Sequence, residues 1–235
     1  MAVPEAVAGL AAIPGVRTAA QLGAPDAAVS APAGMLPVTP VLAKLLPGGG
    51  LRRGTAVSVF GSTALILALL AEATCEGSWA AVAGLPELGV AAAAELGVEL
   101  DRLALVPNPG AEAIAVVSAL IDGFDLVVLG PVLARATQPQ VARRLAGRVR
   151  NRGAVLLTAG PWPGADLELS VSRRRWHGMT DDGFGHLKVR DVVVTSRGRG
   201  AAARPQAHPV RLPGPGGAIV AGQPRVGGRP TEVAG

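Results

Sequence analysis

The residues with the clearest chemical potential lie where an apolar stretch runs into a helix, at Gly61, Ser62 and Thr63. Residues 56–60 predict a buried strand and residues 63–76 predict the helix. A glycine turn between a strand and a helix is typical of phosphate-binding P-loops. In those loops backbone N–H groups surround the phosphates, a lysine neutralises them and a hydroxyl reaches Mg²⁺. Here a single glycine leads directly to Ser62 and Thr63, so the turn is too short to surround a triphosphate and has no lysine.

Ser62 and Thr63 at this turn allow two interpretations. Backbone N–H groups and the dipole at a helix N-terminus bind a single phosphate or sulfate. A serine or threonine at the same position also serves as an ordinary N-cap. The sequence therefore predicts, at most, a degenerate nucleotide-binding turn at Gly61, Ser62 and Thr63.

Other reactive side chains are scattered. The three histidines, His177, His186 and His208, and the single Cys75 do not have the spacing of a structural zinc site. No serine, histidine and acid are arranged as in a hydrolase. We expect no bound metal and no hydrolytic triad.

Two arginine clusters are candidate binding sites for DNA or for a partner protein. The first lies on a basic amphipathic helix predicted at 137–151 and at the residue that follows it, and contains Arg143, Arg144, Arg148 and Arg152. The second places Arg173, Arg174 and Arg175 beside Trp176. Arginines that contact phosphates beside a stacking aromatic are typical of sequence-tolerant single-strand binding. The alternatives are a solvated helix face for the first cluster and packing of Trp176 on the sheet edge for the second.

Trp162 lies in a stiff loop, Gly160–Gly164, between two prolines. If its side chain projects from a sheet edge, an exposed tryptophan is a good anchor for a partner protein. Burial of the same ring against a neighbouring hairpin is the alternative.

Charge is distributed unevenly along the 235 residues. Residues 171–235 contain 11 Lys or Arg against 4 Asp or Glu, a net charge of +7, whereas residues 1–170 contain 11 against 13, a net charge of −2. This asymmetry favours a polyanion near the C-terminal third, most simply nucleic acid. A solvated basic tail is the alternative.

Composition indicates a globular protein, with 49% hydrophobic and 17% charged residues. The longest apolar run, residues 63–73, is about half the length that crosses a bilayer. The N-terminus has no basic region before an apolar core, so we expect no signal peptide. With a single cysteine and no membrane segment, a cytoplasmic location is the expectation.

The order of predicted elements indicates the fold class. Continuous aliphatic strands alternate with helices, which is typical of a parallel sheet covered on both faces, and so of an α/β three-layer domain. The strands are predicted at 55–60, 78–83, 103–106, 126–129 and 154–158, and the helices between them at 63–76, 86–96, 111–121 and 137–151.

The ends of the chain have a different pattern. Residues 1–36 predict a helical segment and a linker, and residues 37–196 predict the core. Within the core, residues 167–172 and 186–194 alternate with period two and predict an antiparallel hairpin. Residues 197–235 are rich in Gly, Pro, Ala and Arg and are expected to be a disordered tail.

The core also resembles a known family. Residues 46–54 resemble the lead-in to the P-loop strand of the RecA recombinase, residues 124–129 resemble its Walker B strand, and residues 165–194 resemble its later hairpin. The resemblance covers about 150 of the 235 residues. The layout is most similar to short actinobacterial RecA-like proteins of the ImuA-prime type. It implies a RecA-like core with a mostly parallel sheet.

The departures from RecA fall on the catalytic positions. The resemblance implies a five-residue deletion before Gly61, with Ser62 at the position of the phosphate-binding lysine. Leu85 or Pro86 stands where a glutamate activates water, with Glu87 nearby, and Gly130 stands where an aspartate helps to hold Mg²⁺. Electrostatic stabilisation supplies most of the catalysis in such sites. We therefore expect no ATP hydrolysis, and neither ATP nor Mg²⁺ as a cofactor.

The resemblance implies a role in DNA damage tolerance. In that role the chain is a non-catalytic adaptor in translesion mutagenesis. Its implied partners are a Y-family polymerase-like protein, an error-prone C-family polymerase and RecA itself, with single-stranded DNA as a further candidate. The alternative is a nucleotide-dependent RecA-like DNA-binding ATPase or recombination regulator that uses an atypical site.

Overall fold

The computed structural model describes residues 34–180, 182, 184–199 and 203–222. The helical segment and linker expected at residues 1–36 lie almost entirely outside the described residues. Residues 223–235, the end of the expected tail, also lie outside them.

The architecture is mixed α/β around a nine-stranded sheet of order β11-β10-β9-β8-β3-β7-β6-β4-β5. The strands are β3 (Ala56–Phe60), β4 (Ala80–Ala83), β5 (Leu103–Val106), β6 (Leu126–Leu129), β7 (Val155–Ala159), β8 (Leu167–Met179), β9 (Gly185–Gly198), β10 (Gln206–Arg211) and β11 (Val220–Ala221). The strands from β8 to β5 in this order are parallel to one another. The pairs β8–β9, β9–β10 and β10–β11 are antiparallel. A separate two-stranded sheet joins β1 (Met35–Leu36) to β2 (Leu51–Arg52).

Six helices are described. They are α1 (Pro40–Ala43), α2 (Thr63–Cys75), α3 (Val90–Glu95), α4 (Ala113–Gly123), α5 (Pro131–Ala136) and α6 (Pro139–Arg152). Within the described residues, none of these helices is both long and apolar enough to cross a membrane. The expected helices at 63–76, 111–121 and 137–151 correspond to α2, α4 and α6, while α5 was not predicted.

The central strands are apolar throughout because both faces of the sheet are buried. In β6, Leu126 and Val128 belong to the core cluster that includes α2, whereas Val127 and Leu129 belong to the cluster that includes α4 and α6. This alternation between two cores gives three layers with a mostly parallel sheet in the middle. The sequence-based expectation of an α/β three-layer domain with a later antiparallel hairpin is confirmed at this level.

The expected disordered tail is wrong for residues 203–222. β10 pairs with β9 through six residues, and β11 then pairs with β10. Val210, Leu212 and Ile219 are buried in the same core cluster as α2. Three apolar anchors thus order a segment that is otherwise rich in Gly and Pro. The sheet extends two strands beyond the predicted hairpin.

Candidate functional site

The turn between β3 and α2 consists of two residues, Gly61 and Ser62. Gly61 has a φ of +82°, in the left-handed region that glycine tolerates at little cost. Ser62 is the N-cap of α2, and its Oγ accepts a hydrogen bond from the Leu65 N–H at 3.3 Å. The N-cap interpretation of Ser62 is therefore confirmed. Thr63 begins the helix and is exposed.

Two arginines from the hairpin contact this turn. Arg174 Nη2 donates to the carbonyl oxygen of Gly61 at 2.5 Å, and Arg190 Nη2 donates to Ser62 Oγ at 3.1 Å. A Cβ on Gly61 would lie 2.6 Å from Arg174 Nη2 and 3.2 Å from the carbonyl oxygen of Val171. The hairpin therefore packs closely against one side of the turn, while Gly61 and Thr63 remain exposed.

The Arg190 side chain is held on several sides. Its Nε donates to the carbonyl oxygen of Leu212 at 2.7 Å, and its guanidinium lies 5.2 Å from the ring centroid of Trp176. Partial burial, and to a lesser extent the charge of Arg174, lowers the pKa of Arg190. Positive charge is thus concentrated at the turn and supplied by β8 and β9, not by a lysine in the turn.

A cavity of about 380 Å³ opens beside the turn, over the carboxyl ends of the parallel strands. Ligands of open α/β sheets commonly bind at this edge. Its lining includes Gly61, Ser62 and Thr63 together with Arg135 from α5. The rest of the lining is Val59, Phe60, Ile66, Leu85, Pro131, Ala159, Gly160 and Pro161. Among the described lining residues Arg135 carries the one charge, and no carboxylate is present to hold a metal ion or activate water.

At residue 130, where the resemblance to RecA implies a metal-binding aspartate, the backbone leaves no space for a side chain. Gly130 follows β6, and a Cβ placed on it would lie 1.8 Å from the carbonyl oxygen of Gly84 at the end of β4. A Cβ on Gly84 would in turn meet the Leu133 side chain at 2.6 Å. Glu87 is exposed, three residues before α3 begins, and does not line the cavity. The ends of β4 and β6 therefore leave no room for an inward carboxylate at residue 130.

Asp125 is a structural residue at the opposite edge of the sheet. Its Oδ1 accepts from Arg53 Nη1 at 2.8 Å, and its Oδ2 accepts from the Trp79 N–H at 3.0 Å. These bonds join the turn before β3 to the starts of β4 and β6. Asp125 does not line the cavity.

Two of the four arginines in the first cluster form ion pairs with an aspartate on α4. Arg148 Nε and Arg152 Nε on α6 donate to Asp122 Oδ1 on α4, at 2.7 and 3.0 Å. Arg148 chiefly, with Arg152, lowers the pKa of Asp122 against a smaller opposing effect of burial. Arg143 and Arg144 are exposed on α6. Arg148 and Arg152 thus join two helices while staying about half exposed, and a binding role for the four arginines stays a prediction.

The second cluster lies on the hairpin, away from α6. Arg173 and Arg174 lie in a bulge where β8 shifts register against β9 between Ser172 and Arg175. Arg173 has a φ of +48° within this bulge. All three arginines and the adjacent Trp176 are exposed. The alternative in which Trp176 is packed away on the sheet edge is not observed, since the ring is 42% exposed.

Trp162 is not an exposed anchor in this structure. Its side chain is 5% exposed and belongs to the apolar cluster of α4 and α6. The loop after β7 turns the ring inward, where burial of a large apolar surface is favourable. It is buried against this core and not against the hairpin.

Two residues of the site were not predicted from the sequence. Arg190 lies two positions before Val192 and four before Val194, and both valines are buried. Because alternate residues of a strand share a face, Arg190 lies on this inward face, and its type and spacing could have marked it. Arg135 lies on α5, a six-residue helix that begins at Pro131, and nothing in its spacing marked it. Both place positive charge at or beside the turn.

These features define an α/β domain in which a glycine turn joins a strand to a helix beside a cavity. The described residues that line this cavity include no lysine and no carboxylate. Residues 44–164 match the family model described as the MT3502 N-terminal domain, so the chain belongs to that family. The chain is also similar to the uncharacterized protein Rv3395c of Mycobacterium tuberculosis (strain ATCC 25618 / H37Rv). The two are 36% identical over 164 residues, which cover 66% of this chain and 80% of that protein.

Proposed function

We propose that this chain is a non-catalytic RecA-like adaptor in DNA damage tolerance. The observation that carries the proposal is the two-residue turn at Gly61 and Ser62, which accepts hydrogen bonds from Arg174 and Arg190 of the same chain. A P-loop uses its backbone N–H groups and a lysine to hold phosphates. Here the Ser62 hydroxyl caps the helix, and the guanidinium groups contact the turn from the hairpin.

The surroundings of the turn support a non-catalytic role. A phosphoryl-transfer site positions a metal ion, a base and several phosphate contacts together. Gly130 stands where the metal-binding aspartate is needed, and the carbonyl oxygen of Gly84 fills the space of a side chain there. Reversion of a single residue is therefore insufficient to rebuild the site.

The RecA-like part of the proposal rests on topology and on the resemblance of the sequence. The parallel order β8-β3-β7-β6-β4-β5, with a glycine turn leading from β3 into α2, is compatible with a P-loop-type core. The antiparallel hairpin of β8 and β9 at residues 167–198 supports the same proposal.

The partners in this proposal come from the same resemblance. They are a Y-family polymerase-like protein and an error-prone C-family polymerase in the cytoplasm, with RecA as a third. A fold that presents surfaces without consuming nucleotide is suited to hold such proteins together. A nucleotide-dependent ATPase or recombination regulator is the competing function.

Equilibrium binding of labelled ATP in the presence of Mg²⁺ separates the two functions. We expect no saturable binding by the full chain in the micromolar range and no hydrolysis. Micromolar binding that is abolished by Thr63→Ala and retained in Ser118→Ala, a hydroxyl on α4, would favour the ATPase. Direct binding of the purified polymerase partners to the full chain is the positive test.

A further inference from the structure

The β8–β9 ribbon extends beyond the rest of the sheet. β8 pairs with β3 as far as Ser170, and β9 pairs with β10 as far as Asp191. Beyond these points the ladder continues between β8 and β9 from Trp176–Arg190 to Met179–Gly185, and only the backbone of Arg190 also bonds to the segment after β10, at Leu212 and Pro213. We call residues 173–180, 182 and 184–190 the arm. From Arg173 to Lys188 every described arm residue is exposed, so neither face of the outer ribbon is covered.

Large apolar side chains are concentrated on the arm. Four of the nine large apolar side chains that are exposed among the described residues belong to it. They are Trp176 at 42%, Met179 at 50%, Phe184 at 74% and Leu187 at 53% exposure. Single exposed apolar residues are ordinary, but several on one small element mark an interaction site.

Positive charge accompanies these apolar groups. The arm carries Arg173, Arg174, Arg175, Lys188 and Arg190. Of the carboxylates described near it, Asp191 already contacts two partners, with His177 Nε2 at 2.7 Å and Arg211 Nε at 3.1 Å. Asp182 accepts a hydrogen bond from the Thr180 hydroxyl at the tip. The cations of the arm are therefore in excess over its carboxylates.

The base of the arm is held in place before any partner binds. Arg190 contacts the Leu212 carbonyl, Ser62 and the ring of Trp176, and Arg174 contacts Gly61. At the middle of the arm the strands approach so closely that a Cβ on Gly178 would lie 2.2 Å from the carbonyl oxygen of His186. A surface that is already ordered loses less conformational entropy on binding.

We propose that the arm is the docking site for an acidic segment of a partner protein that also carries large apolar side chains. This inference rests on the proposed adaptor function and assigns that function to a surface. Arginine, tryptophan, phenylalanine and methionine are the residue types enriched at protein interfaces, whereas lysine is depleted there. The arm has this composition, with four arginines to one lysine. A phosphate backbone would pair with the cations but would leave Met179 and Leu187 uncovered.

Binding of the two purified polymerase partners to the full chain, measured by biolayer interferometry, tests the inference. One arm variant, Arg175→Ala with Lys188→Ala, removes two cations, and its control, Arg199→Ala with Arg204→Ala, removes two exposed cations elsewhere. A second arm variant, Phe184→Ser, is matched by Val132→Ser on α5, where the side chain is 73% exposed. Thermal unfolding of each variant checks that the fold is retained.

We expect each arm variant to weaken binding of at least one partner about tenfold or more, as the loss of an interface anchor does, and each control to stay within about twofold. The charge variant should also weaken the salt dependence of binding. Strong binding by the wild type that is unchanged in both arm variants would overturn the inference and leave the adaptor function standing. Failure of the wild type to bind either partner would overturn the adaptor function itself.

Fluorescence anisotropy with a labelled single-stranded oligothymidine separates protein from nucleic acid. If the arm variants lose affinity for the oligonucleotide but keep their affinity for the polymerase partners, the arm is a nucleic-acid surface and the inference is wrong. We expect the arm variants to bind the oligonucleotide as the wild type does. Over the same range of protein concentrations, they should lose binding to the polymerase partners.

Discussion

Gly130 and Gly84 pack against each other where β6 and β4 end. Each lies at the carboxyl end of a parallel strand, and the carbonyl oxygen of Gly84 occupies the space of a side chain on Gly130. Their packing brings β4 and β6 together where a metal-binding carboxylate would otherwise project. The absence of a side chain at residue 130 is therefore a packing property of the strand ends.

A Cβ at residue 130 should be strongly destabilising. Because the contact is with backbone at 1.8 Å, Gly130→Ala must displace a strand end, and we expect it to lower the free energy of unfolding by about 3 kcal/mol or more. Gly147→Ala on α6 is the control, since nothing lies within 4 Å of a Cβ there. That change should stabilise the helix by about 0.5 to 1 kcal/mol. Urea denaturation of both variants gives the comparison, and equal effects would contradict the packing at Gly130.

The ion pair between α4 and α6 predicts a pH dependence. The pKa of Asp122 is lowered in the folded chain, so its contribution to stability is present above the ordinary aspartate pKa of about 3.9 and is lost as pH falls through the lower folded value. Arg148 and Arg152 are about half exposed, which limits the contribution to about 1 kcal/mol or less.

Asp122→Asn should therefore be less stable than the wild type at neutral pH, and the difference should shrink to zero in acid. Urea denaturation across this pH range measures it. Arg148→Ala and the double variant complete a mutant cycle. An Asn variant with the same deficit at all pH values would show that the effect is not carried by the charge.

At the scale of elements, the strands β10 and β11 depend on a few apolar anchors. Leu212 is fully buried and Val210 is 1% exposed, in a segment rich in Gly, Pro and Ala. We expect Leu212→Ala to lower the free energy of unfolding by about 2 to 5 kcal/mol, as for other buried leucines. Leu187→Ala on the exposed arm should change it by no more than about 0.5 kcal/mol. If Leu212→Ala were equally silent, the segment would be a tail and not part of the sheet.

The elements that were predicted from the sequence are those with two buried faces. Strands such as β6 are continuous aliphatic runs, and glycines at positions such as Gly77 and Gly97 end the helices with a left-handed φ. The predicted strands of the hairpin were shorter than β8 and β9. The outer ribbon is exposed on both faces, so its sequence does not alternate between apolar and polar residues. Ser62 at the N-cap agrees with one of its two interpretations, whereas the degenerate nucleotide-binding turn stays a prediction. Arg135, Arg190 and the inward turn of Trp162 depend on contacts between distant segments, which spacing does not reveal.

At the scale of the whole molecule, the structure combines a tightly packed sheet with a ribbon that has little tertiary support. The centre of the sheet, β3, β7 and β6, is buried between two helical layers, and its residues are almost all fully buried. The arm has backbone hydrogen bonds between its strands but no layer on either face. Local opening requires less free energy where few apolar contacts are broken.

Native-state hydrogen exchange should therefore divide the sheet into two parts. Amides of Val57, Val127 and Leu157 should exchange only through global unfolding, whereas amides in the outer arm, such as that of His177, should exchange through local opening at a much lower free energy. Added denaturant distinguishes the two, because global unfolding exposes more surface and depends more steeply on denaturant. The adaptor proposal adds that a bound partner should slow exchange in the arm and leave the central strands unchanged. Equal protection of arm and centre in the free chain would show that the arm is supported by contacts other than those between its own strands.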